Sequence, residues 1–144
     1  MAACHSFKAI SLEEADDKPT VYRLLLEQVN AVLTNEKDYV ANCANVISVV
    51  YNGLIETRGN TATNWCGVYL VRPAAEQPSG SILCLGPFIG KPAVTRIPFE
   101  NGVCGAAARG AKTVVVPDVH LFPGHIACDR YRTFLVCNRQ FDYS

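Results

Sequence analysis

After Pro19, Val21, Leu25, Val29 and Val32 recur at near-helical spacing, and Leu24 and Leu33 widen the stripe. A proline suits a helix's first turn, so the spacing predicts an amphipathic helix from Pro19 onward. A second helix is predicted after Asn35, with Asp38 in its first turn. Val40, Ala44, Ile47, Tyr51 and Leu54 give it a face to bury, and Gly59 closes the segment. Ahead of both, Ser11-Leu12-Glu13-Glu14 has the form of a capping box, which Pro19 limits to a turn or two. The two long helices read as a packing layer without chemistry of their own.

From Asn64 the period changes from helical to alternating. Trp65, Gly67, Tyr69 and Val71 point one way while Cys66, Val68 and Leu70 point the other, the mark of a strand. Pro73, Pro78 and Gly80 form a surface connection to a paired strand, Ser81 to Leu85, ended by Gly86-Pro87. Ala93 to Ile97 reads as a short edge strand, Gly102 to Ala108 as a small-residue helix stopped by Gly110, and Thr113 to Val116 as a buried strand. A long loop then runs from Pro117 to Asp129. Helices, a hairpin, a short helix and a further strand predict an α+β fold, an antiparallel sheet with helices packed on one face. No repeat, heptad or low-complexity tract interrupts it.

Composition narrows the function classes. The 144 residues suit one domain, and 49% hydrophobic against 18% charged residues suffices for a core. Thirteen Lys plus Arg balance thirteen Asp plus Glu, so the chain lacks the basic footprint that nucleic acid demands. No apolar run approaches the roughly 20 residues of a membrane-spanning helix. Lys8, Glu13, Glu14, Asp16 and Asp17 stand where a signal peptide needs its apolar stretch, which predicts a cytoplasmic protein.

Seven cysteines (Cys4, Cys43, Cys66, Cys84, Cys104, Cys128 and Cys137) are many for this length. An odd number without a signal peptide argues against a secreted disulfide scaffold, and no pair has the C-x-x-C spacing of a zinc ribbon or thioredoxin-type motif. Two stretches exceed what packing requires. In Phe99-Glu100-Asn101-Gly102-Val103-Cys104-Gly105, glycines allow close backbone approach and set the Cys104 thiol near a helix start, where amide dipoles favour thiolate. In Val116-Pro117-Asp118-Val119-His120 and Phe122-Pro123-Gly124-His125-Ile126-Ala127-Cys128-Asp129, a stiff loop follows a strand end. A protonated histidine near Cys128 lowers its pKa, whereas Asp129 opposes that. Cys43, Cys66 and Cys84 default to packing. A zinc site from Cys104, His125 and Cys128 lacks a second ligand pair. Residue chemistry favours a redox-active thiol domain over a plain packing domain without deciding between them.

At these motifs the sequence closely resembles the free methionine-(R)-sulfoxide reductases, which are single GAF domains. The likeness is carried, in order, by Asn64-Trp65-Cys66-Gly67-Val68-Tyr69-Leu70, then Leu85-Gly86-Pro87-Phe88-Ile89-Gly90-Lys91-Pro92-Ala93, then Gly102-Val103-Cys104-Gly105, Val116-Pro117-Asp118-Val119 and the segment from Phe122 to Asp129. It implies a GAF-like domain over 19–129, with an N-terminal extension over 1–18 and a divergent tail over 130–144. It also implies reduction of free methionine-(R)-sulfoxide with thioredoxin as electron source and no metal or organic cofactor. Cys128 takes the nucleophile's place and Cys104 that of its disulfide partner. Trp65 and Tyr69 match the aromatic wall against the substrate's methyl and side chain, and Asp129 joins the substrate-binding residues. A homodimer is left open.

Two departures stand beside the likeness. The family usually carries another cysteine in a Gly-Lys-X-Ala-Cys segment, where this chain reads Gly90-Lys91-Pro92-Ala93-Val94. Val94 forms no disulfide, so the resolving step falls to Cys104 or an external thiol. Beyond Asp129 the family continues with a Glu-bearing strand, an Asp-X-Asp strand and a closing helix. Residues 130–144 contain no Glu and no Asp-X-Asp, so the C-terminal strands and helix are expected to be missing, the terminus altered or truncated, and activity impaired. A non-catalytic small-molecule-binding GAF module is the alternative reading.

Overall fold

The computed structural model describes residues 17–58, 63–124 and 134–136. They form two compact units, one within Met1–Val68 and Gly86–Lys91, the other within Tyr69–Leu85 and Pro92–Ser144. The capping-box motif at Ser11–Glu14 and the helix stop at Gly59 lie outside the described residues.

In the first unit, helix α1 spans Lys18–Leu33. Asp17 caps it, its carboxylate accepting the Thr20 N–H at 2.7 Å. Val21 and Leu25 are buried and gather Leu24 and Val49 around them, which joins α1 to helix α2, Tyr39–Arg58. Arg23 and Glu27 form an exposed pair at 2.7 Å, worth about 0.3–0.5 kcal/mol.

Asp38 does not lie in the first turn of α2 but precedes it as the cap. Its carboxylate accepts the Ala41 N–H at 2.7 Å and its carbonyl the Asn42 N–H at 3.0 Å. A short acidic side chain satisfies an orphan helix amide better from this position than from within the helix. The expected buried stripe is also shorter than its spacing suggests. Ile47 is buried, but Val40 is 60% exposed and Ala44 is exposed too. Both sit in the opening turns beside 34–38, all of which face solvent.

Strand β1, Trp65–Pro73, and strand β2, Ser81–Gly90, run through both units, and β3, Arg96–Pro98, completes a sheet of order β1-β2-β3. The 74–80 connection closes with Ala74 N–H on the Gly80 carbonyl at 3.0 Å, and Gly80 takes φ +68°. Strands β2 and β3 are antiparallel, with Ile82 opposite Pro98, Leu83 opposite Ile97 and Cys84 opposite Arg96. The predicted end of β2 at Gly86-Pro87 is wrong; the strand continues to Gly90. Because β3 pairs only with 82–84, β2 has no β3 partner at Pro87, and a proline without an N–H is tolerated there. The edge strand is correspondingly Arg96–Pro98 rather than 93–97.

The second unit continues with helix α3, Gly102–Gly110, ended by Ala111 in the left-handed region, and with β4, Val114–Val116. Val103, Val116 and Val119 form its core, with Val114 and Phe122 packed against them. Each such buried side chain contributes about 1.5–3 kcal/mol. Residues 130–144 do not lack strand structure, contrary to expectation. Strand β5, Phe134–Val136, pairs antiparallel with β4, Val114 opposite Val136. Three residues are too few for an alternating pattern to announce a strand.

Candidate functional site

Two adjacent motifs make a bed for Trp65 in the first unit. The indole stacks on the Phe88 ring with centroids 5.8 Å apart and planes 17° from parallel. A Cβ at Gly67 would lie 2.5 Å from the Trp65 ring and 2.5 Å from the Phe88 Cβ. One at Gly90, where φ is +126°, would lie 2.6 Å from the Asn64 carbonyl and 2.8 Å from Trp65 Cδ1. Glycine is required at both positions for the indole to lie flat on the strands. Trp65 itself stays half-buried. Phe88 stands within a segment singled out by its composition, but its part in the stack was not readable, since only pairing of β1 with β2 brings the rings together.

In the second unit, the Tyr69 hydroxyl donates to the Val94 carbonyl at 2.7 Å. Tyr69 therefore holds the segment that contains Val94. The neighbouring Leu85 N–H donates to the Thr95 carbonyl at 2.9 Å. Nothing in the sequence signals either bond, because 25 residues separate Tyr69 from Val94.

Cys104 lies in the first turn of α3, as the sequence predicts, and is half-buried. Its neighbours explain the glycines around it. Gly102 takes φ +65° on entering the helix, and a Cβ at Gly105 would stand 2.7 Å from the Phe99 carbonyl oxygen. The Arg109 guanidinium donates to that same carbonyl, tying both ends of α3 to the Phe99 turn. Val103 and Ala107 share the buried face, and Cys104 lies on another with half-buried Ala108. Ahead of the helix, the Ser79 hydroxyl, then the backbone amides of Glu100 and Ser79, and least the Arg109 charge hold the exposed Glu100 carboxyl below its ordinary range.

The remaining thiols divide by surroundings. Burial pushes the Cys66 thiol up, keeping it protonated and unreactive. Cys84 accepts from Arg96 Nη1 at 3.7 Å, and Cys43 is half-buried in α2. The Val116-Pro117-Asp118-Val119 motif has a local structural purpose: Asp118 caps a single 3₁₀ turn by accepting the His120 N–H at 3.0 Å, and Val119 is fully buried. His125, Cys128 and Asp129 lie outside the described residues. Among the described residues, no three of His, Cys, Asp and Glu group to hold a metal ion, and no helix is long and apolar enough to cross a membrane.

No family model matches the chain. It is 38% identical over 113 residues to the free methionine-R-sulfoxide reductase of Escherichia coli, covering 78% of this chain and 61% of that protein. Among solved structures, the free methionine-R-sulfoxide reductase of Neisseria meningitidis in complex with its substrate superposes with TM-score 0.73 at 40% identity, covering 90% of this chain and 71% of the other. A putative GAF sensor protein of Burkholderia vietnamiensis superposes with TM-score 0.68 at 39% identity, covering 83% and 68%. The chain spans about three-fifths of the length of the curated relatives it matches. The motifs around Trp65 and Cys104 thus occur on a GAF fold, and this chain belongs to the free methionine-R-sulfoxide reductase family.

Proposed function

We propose that this chain reduces free L-methionine-(R)-sulfoxide to methionine with its own cysteines, in the cytoplasm and with thioredoxin as reductant. The observation that carries this is the 40% identity to the substrate-bound Neisseria meningitidis reductase, maintained across 90% of the chain. In this reading the Cys128 thiolate attacks the sulfoxide sulfur, and the oxygen passes to the cysteine. Methionine leaves with its sulfur reduced by two electrons and Cys128 becomes a sulfenic acid. The Cys104 thiol then condenses with it, releasing water and forming a disulfide. Thioredoxin reopens that disulfide by dithiol exchange.

Cys104 suits the second step because α3 amides stabilise its thiolate and the Phe99 turn fixes the helix start. By the family resemblance, Trp65 and Tyr69 serve as aromatic wall residues for the substrate, and Asp129 is a further substrate-binding residue. The domain that does this extends over 19–129.

The test is methionine formation from the separate R and S sulfoxides with thioredoxin or dithiothreitol. Turnover of R alone, abolished by Cys128→Ser, is expected; turnover of S alone or of peptide-bound sulfoxide overturns the reading. A second reading, a binding module without catalysis, draws on the likeness to the putative GAF sensor. Thiol trapping separates the two. A binding module leaves Cys128 reduced after sulfoxide is added, whereas a reductase accumulates the sulfenic acid or the Cys104–Cys128 disulfide.

A further inference from the structure

The segment between β2 and β3 has no ladder of its own, yet two consecutive carbonyls in it are held. Val94 C=O accepts the Tyr69 hydroxyl at 2.7 Å, and Thr95 C=O accepts the Leu85 N–H at 2.9 Å. Val94 is half-buried, Thr95 exposed, and Pro92 contributes no N–H, so few other constraints act on this stretch. A phenol has one proton to donate, and Tyr69 commits it to the protein's own backbone. Its ring face is left for the wall described above.

We infer that Tyr69 is a positioning residue: its hydroxyl fixes the Val94–Thr95 peptide, and with it the backbone that presents the side chain at 94. This rests on the proposed reductase reading, in which the Tyr69 ring faces the substrate, and gives the hydroxyl a task that phenylalanine cannot perform. Tyr69→Phe keeps the ring and deletes the clamp.

The measurement is residue-level amide exchange of Tyr69→Phe against wild type, followed by R-sulfoxide kinetics with dithiothreitol. The Thr95 carbonyl held by Leu85 follows directly on the clamped Val94–Thr95 peptide, so the expected signature is local. Exchange at Leu85, whose N–H donates to the Thr95 carbonyl, rises about tenfold, which corresponds to roughly 1.4 kcal/mol, while the α3 and β4 amides keep their protection. In kinetics, kcat falls while KM holds, because the ring face against substrate is unchanged. Unaltered exchange at Leu85 overturns the inference. So does uniform loss of protection across α3 and β4, which marks a merely structural residue, as does a raised KM at constant kcat, which marks direct donation to substrate. If wild type shows no turnover, the reductase reading fails, and the exchange data alone decide whether the clamp exists.

Discussion

Replacing Gly105 by alanine sets two effects against each other on one helix. Alanine is the better helix former by about 1 kcal/mol, which alone predicts stabilisation. The added Cβ, however, would stand 2.7 Å from the Phe99 carbonyl oxygen and 3.3 Å from that of Pro98. Both neighbours are backbone, and the Phe99 carbonyl is further held by Arg109, so neither gives way as a flexible side chain would. Overpacking of this kind costs about 1–3 kcal/mol, and a pinned backbone places it at the upper end. The net expectation is a loss of about 2 kcal/mol. With an unfolding entropy near 2.1 cal/mol/K per residue, 144 residues give about 0.3 kcal/mol/K, and the midpoint falls by about 7 °C. Thermal unfolding followed by circular dichroism measures this, with Gly110→Ala as control. On the same helix, a Cβ there meets only the flexible Lys112 side chain, at 3.2 Å, so that variant should match wild type or exceed it slightly. A Gly105→Ala protein as stable as wild type would show that α3 does not rest on the Phe99 turn.

Other outcomes follow from the same geometry. Gly67→Ala should lift the indole from Phe88 and shift the emission of the chain's single tryptophan, with an unchanged spectrum refuting the stack. Asp38→Ala should lower stability by about 1 kcal/mol in urea unfolding, since it removes the acceptor for the Ala41 N–H. Glu100 is held below its ordinary pKa, so its contribution is present above the unfolded value near 4.3 and lost as pH falls through the lower folded value. Glu100→Gln should therefore flatten the acid side of the stability-against-pH curve while leaving its slope near neutrality unaltered.

The order of elements was legible from the chain because periodicity is a local property. Val21 and Leu25 bury as their spacing requires, Asp17 and Pro19 open α1, and Cys104 begins a small-residue helix. The family was legible too, through motifs dense in glycine, aromatic and cysteine residues. Their glycines are explained only by what approaches them, Trp65 over Gly67 and the Phe99 carbonyl beneath Gly105. Contacts between distant residues carry no periodic trace. Pairing decided that β2 runs past Pro87, because its ladder with β3 ends at Cys84, and that Phe134–Val136 joins β4. The Tyr69–Val94 bond likewise arises only once the sheet brings the two together. Val40 and Ala44 continue the apolar stripe in sequence yet face solvent, for a stripe records which residues share a helix face, and only the tertiary structure supplies a neighbour to cover it.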